Sequence, residues 1–89
     1  MKLLNTKLKP TRISEAWKKK GDYVFFNSYR GVILNKNQSL IWESMDGSHT
    51  IEEIYDMFSQ FNRRDIEDFI SRCLSMPVIE LLEDEDWDI

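Results

Sequence analysis

Two side chains in this 89-residue chain belong to the types that do covalent chemistry near neutral pH, His49 and Cys73, and each is the single copy of its kind. A thiol nucleophile needs a base within hydrogen-bond reach. His49 lies in Ser48-His49-Thr50, just ahead of a helix start, and Cys73 falls on an apolar helical stripe. They belong to different elements, and no spacing pairs them. One histidine and one cysteine do not make a structural metal site. The acids of 83–88 (EDEDWD) follow no calcium-loop spacing. With three glycines in all, there is no glycine-rich phosphate loop. The expectation is a protein that is not an enzyme and holds no cofactor or metal. What remains is the chemistry of recognition.

Charge is distributed unevenly. Residues 1–36 hold nine Lys/Arg against two acids, and residues 37–89 hold three Arg against fourteen acids, for a net charge of −4. The leading half is therefore basic and the trailing half acidic, which orients charged partners. The length fits one domain, taken as 1–82 with an acidic, disordered tail at 83–89. A lone cysteine allows no internal disulfide and fits a reducing compartment. No apolar run approaches the roughly 20 residues that span a bilayer. The opening MKLLNTKLKP is too short and polar for a signal peptide. These features predict a cytoplasmic protein with no membrane partner.

The elements that position the recognition chemistry follow from pattern. Residues 11–17 read as a first strand, Lys18-Lys19-Lys20-Gly21-Asp22 as a solvated turn, and 22–27 and 31–35 as second and third strands. Asn35 or Asn37 caps a helix bearing Leu40, Ile41, Trp42 and Met45, which Asp46-Gly47 closes. Thr50-Ile51-Glu52-Glu53 is a capping box opening a second helix. Asn62 caps a third, whose Ile66, Phe69, Ile70, Cys73 and Leu74 make one apolar stripe. Met76-Pro77 stops it, and 78–82 is a short extended segment that packs back on the core. Strands followed by helices predict an α+β domain, a three-stranded antiparallel sheet followed by three helices, winged helix-turn-helix-like. In the second strand Tyr23 and Phe25 share one face, and Val24 and Phe26 the other. One face packs under the helices. The other is either covered by a terminal segment or open to a partner.

Taken in order, Val32-Ile33-Leu34-Asn35, a helix ending in Asp46-Gly47, Thr50-x-x-Glu53-Ile54, and a third helix running into the apolar 77–80 resemble the PqqD-like family, the precursor-peptide recognition elements of ribosomal peptide natural-product pathways. The resemblance covers residues 8–82. Met76-Pro77 departs from it, since many members run through a glycine-containing turn there. The resemblance implies a peptide chaperone without catalytic activity. The leader of a precursor peptide adds as a strand to the edge of strand three, in a groove with helix three, and is presented to a modifying enzyme such as a radical enzyme, a leader peptidase or a cyclase. An exposed strand edge suits such addition, because main-chain bonds give affinity and side-chain pockets give specificity. The contact set expected is Arg30, Val32, Ile33, Leu34 and Asn35 from the strand side, with Asp65, Ile66, Phe69, Arg72 and Cys73 from helix three. For the apolar ones core packing is the equal alternative. Such an edge allows a monomer or an edge-paired dimer.

Two other uses suit the same elements. A winged helix could bind nucleic acid through its third helix, but Arg63, Arg64 and Arg72 there are balanced by Asp65, Glu67 and Asp68, so no nucleic-acid partner is expected. A scaffold subunit docking on a folded enzyme is the other, with Trp87 amid acids as its contact.

Overall fold

The structure, a computed structural model, describes residues 5–26 and 32–83. The expected turn at 27–31, with Arg30, and the expected tail beyond Glu83 lie outside the described residues. The chain runs β1 (Lys9–Arg12), β2 (Trp17–Lys20), β3 (Tyr23–Phe26), α1 (Lys36–Ser44), α2 (Ile51–Met57), α3 (Arg63–Ser75) and β4 (Ile79–Leu82). It is a small α+β domain with three helices and two antiparallel sheets, β1–β4 and β2–β3.

The helix starts are where the sequence puts them. Asn35, not Asn37, caps α1: its side chain accepts from the Gln38 N–H at 2.8 Å while Gln38 Oε1 accepts from the Asn35 N–H at 3.0 Å. Thr50 and Glu53 form the reciprocal box of α2 at 3.1 and 2.8 Å. Asn62 Oδ1 accepts from the Arg64 N–H at 2.9 Å at the start of α3. Each pairing satisfies donors that a helix end leaves open. The Thr50 contacts also hold the Glu53 carboxyl below its ordinary range, chiefly through the Thr50 backbone N–H. After α1 the chain turns at Gly47, whose φ of +83° favours glycine; a Cβ there would stand 3.3 Å from Thr11 Oγ1.

The strands need three corrections. The expected first strand at 11–17 is two strands. β1 ends at Arg12, and Trp17 begins β2. β1 lies between β4 on one side and the α1–α2 connection on the other, with Lys9 opposite Leu82 and Arg12 opposite Ile79. On its second side Arg12 N–H reaches Met45 O and Gly47 N–H reaches Pro10 O. Its partners are far off in the chain, so no local pattern marks its end. The three lysines assigned to a turn are strand residues. Lys20 pairs with Tyr23, and only Gly21-Asp22 turns the hairpin, with Gly21 at φ +63°. Their exposed ammonium groups sit on a sheet edge and discourage pairing with other chains.

The third correction concerns 31–35. Among the described residues it is a single antiparallel bridge, Phe25 to Ile33, and not a strand. The reason is Ser39. Leu34 N–H donates to Val24 O at 2.8 Å, but the return bond from Val24 N–H goes to Ser39 Oγ at 2.9 Å. That buried hydroxyl in turn donates to Asn35 O at 2.8 Å. The first turn of α1 takes the ladder position that a longer strand would use. Ser39→Ala will leave the Val24 N–H buried without a partner and cost about 1–3 kcal/mol. Urea unfolding measures it, and a cost below about 0.5 kcal/mol would contradict this role.

The core joins both sheets to all three helices. Val24 and Phe26 point inward from β3, Ile41, Trp42 and Met45 from the α1 end, Ile51 and Ile54 from α2, and Val78 and Ile79 from the β4 end. The predicted stripe of α3 is borne out: Ile66, Phe69, Ile70 and Cys73 are buried and Leu74 is half-buried. Trp42 is at the centre, edge-on to Phe26 at 4.9 Å and to Trp17 at 5.7 Å between ring centroids. Arg12 stacks by both indoles, its guanidinium carbon 5.4 Å from the Trp17 ring and 6.0 Å from Trp42. It donates to Trp42 O and Glu43 O at 2.8 Å each, closing the carbonyl end of α1. Among the described residues no helix is long and apolar enough to cross a membrane.

Candidate functional site

A groove of about 440 Å³ opens between the start of α1 and one face of α3. Its apolar lining is Ile41, Phe61, Ile66 and Phe69. Its polar lining is Asn35, Asn37, Gln38, Gln60, Asn62, Asp65, Asp68 and Arg72. The α3 contributors recur at three- and four-residue steps, which puts them on one side of the helix.

Capping decides what the polar lining can offer. The carbonyl oxygens of Asn35, Gln38 and Asn62 are engaged by N–H groups at the helix starts. That leaves their amino groups as donors. Asp65, Asp68 and Arg72 are exposed; the ion pair of Lys19 with Glu43, at 2.8 Å, lies elsewhere. Arg63, by contrast, lies over the Tyr55 ring at 4.4 Å and ties α3 to α2.

The chain entering the groove comes from the bridge. Phe26 N–H donates to Val32 O at 2.9 Å and Leu34 N–H to Val24 O at 2.8 Å. These bonds bracket the Phe25–Ile33 pair, so the N–H and C=O of Ile33 itself turn away from β3. Ile33 is 66 % exposed. Two residues later Asn35 lines the groove.

The expected contact residues divide accordingly. Asn35, Asp65, Ile66, Phe69 and Arg72 line one groove, and Val32 and Ile33 lie on the edge leading to it. Leu34 and Cys73 are core residues that do not line it. Arg30 lies outside the described residues. The groove also includes Asn37, Gln38, Ile41, Gln60, Phe61, Asn62 and Asp68, which the expected contact set lacked. A signal for Phe61 was present: it precedes the Asn62 cap, with Ile66 four positions into the helix, the spacing of a hydrophobic staple.

Comparison places nothing beside this chain. No protein-family model, curated protein or solved structure matches it.

Two further places bear on chemistry. Cys73 is 1 % exposed, and burial pushes its thiol up to about 12. A native thiol this protonated will resist alkylation at pH 8 and react at the rate of global opening. A mass-spectrometric time course with iodoacetamide checks this; labelling as fast as in urea would contradict the burial. Since the unfolded chain ionises this thiol first, stability declines as pH rises from about 9 toward about 12. The other place is the outer face of the β2–β3 sheet. Tyr23 is 52 % exposed and Phe25 is half-buried. No described segment covers that face completely, and Lys18 and Lys20 flank these rings on β2. Among the described residues no three His, Cys, Asp or Glu converge on a metal position.

Proposed function

We propose that this protein is a cytoplasmic, non-catalytic peptide-binding module. It captures the leader of a ribosomally made precursor peptide by strand addition along 32–34, lays it in the groove beside α3, and presents it to a modifying enzyme. On this reading β2, β3 and the bridged segment act as the wing of a winged helix-turn-helix-like domain. Val32, Ile33, Asn35, Asp65, Ile66, Phe69 and Arg72 meet the peptide, while Leu34 and Cys73 hold the two walls from within.

The observation that carries the reading is the outward main chain of Ile33 beside a groove with an apolar floor. An extended peptide can bond to that N–H and C=O whatever its sequence, and its alternate side chains then face the groove. The sequence resemblance supports the same assignment. No bond-making step is required of any residue.

The Lys18–Lys20 strand, with Tyr23 and Phe25 on its flank, favours nucleic acid as the second reading, since bases stack on exposed rings beside cations. The groove face of α3 argues against it there, with two carboxylates and one guanidinium. Fluorescence anisotropy separates the two. A labelled leader from the precursor peptide encoded beside this gene should saturate with a shallow salt dependence. A random DNA duplex at equal ionic strength should not bind. Salt-steep binding to DNA alone would overturn the peptide reading.

A further inference from the structure

We infer that the groove reads a charge order in its peptide, acidic and basic residues two apart, followed two residues on by an apolar one. The inference rests on the peptide-binding reading and gives it a substrate class.

Asp68 and Arg72 lie four residues apart on the groove face of α3, exposed, and no ion pair joins them. Four helical residues rise about 6 Å. Two residues of an extended chain advance about 6.6 Å, and side chains two apart point the same way. A strand beside α3 therefore matches Arg72 with one side chain and Asp68 with the next on that face. Continuing the same way reaches the start of α3, where Phe61 and Ile66 line the groove and only Asp65 adds charge. The complementary peptide reads acidic-x-basic-x-apolar, in one chain direction or the other. The apolar residue fixes the frame, so acidic and basic cannot exchange without placing like charges together. The direction in which the motif occurs reports which way the added strand runs. An exposed pair at either position contributes modestly, but reversing the order replaces two attractions by two repulsions.

The test is selection from a displayed random dodecamer library on the full chain, and in parallel on the double variant Asp68→Lys, Arg72→Glu, its fold checked by circular dichroism. The wild type should enrich acidic-x-basic-x-apolar. The double variant should enrich basic-x-acidic-x-apolar in the same direction. Synthetic peptides of the two orders should differ about tenfold in Kd, with the sign reversed between the proteins. If the double variant does not fold, Asp68→Asn with Arg72→Gln must remove the preference. Enriched peptides that bind the groove with no charge order would overturn this inference and leave strand addition standing. No enrichment at all would overturn both.

Discussion

On the strand-addition proposal, Ile33→Pro will leave the domain folded and abolish capture of an extended peptide, while Leu34→Pro will unfold it. The two positions are neighbours with opposite amides. Leu34 N–H is spent on Val24 O at 2.8 Å, and the Leu34 side chain is buried. Proline there removes the bond, orphans a buried carbonyl and shrinks a core side chain, a combined cost of about 3–5 kcal/mol. Ile33 N–H points away from β3 and its side chain is exposed. Proline there should change stability by less than about 1 kcal/mol, because an extended Val32 is compatible with a following proline. The ring removes the donor that a docked strand needs and fills its place, a loss of about 30-fold or more in affinity. Thermal melts and peptide titrations on both variants give the result. An Ile33→Pro protein that is folded and binds at full strength would rule out strand addition at this edge.

Trp42→Ala is the most damaging single substitution expected in the core. Trp42 is fully buried, and it holds Phe26 and Trp17 edge-on. A buried Trp→Ala change costs about 3–5 kcal/mol, against about 5–15 kcal/mol of total stability for an ordinary domain. An 89-residue domain with short strands is at the low end of that range. The variant will be largely unfolded at 37 °C by near-ultraviolet circular dichroism. Trp42→Phe should cost much less than its lost volume suggests. The indole Nε1 has no hydrogen-bond partner among the described residues, so phenylalanine removes a buried, unpaired donor along with the packing. A Phe variant as unstable as the Ala variant would place the whole effect in shape.

The legible and illegible parts of this chain divide by the range of the interactions. The three helix caps and the stripe of α3 depend on residues within eight positions, so Asn62 or Thr50-x-x-Glu53 announces them. β1 depends on β4, about seventy residues on, and nothing near Lys9–Arg12 records that partner. The apolar 78–82 segment was readable as extended, but not whom it would join. The bridge at Ile33 falls between these cases. Its β-branched run says strand, and Ser39, five residues past Leu34, cuts it short by a hydroxyl that propensity treats as a neutral helix residue. The site divides similarly. Helix periodicity marked Ile66 and Phe69, whereas Asp65 and Arg72 came with the contact set that the resemblance implies. The same periodicity cannot say which side of an apolar residue meets a core and which a groove, and so Cys73 and Ile66 looked alike. Gln60 enters only because α1 and α3 bring their starting ends to one place.

Lys9 and Leu82 stand opposite each other in the β1–β4 pair. β1 meets α1 at its carbonyl end, through Arg12 and Met45, whereas the groove opens at the amino end of the same helix. The start of β1 and the end of β4 thus lie side by side, at the opposite end of α1 from the groove. Strands that end together in this way tolerate rewiring of the chain, and the Gly21-Asp22 turn, remote in sequence from every residue that lines the groove, is the natural place to reopen it.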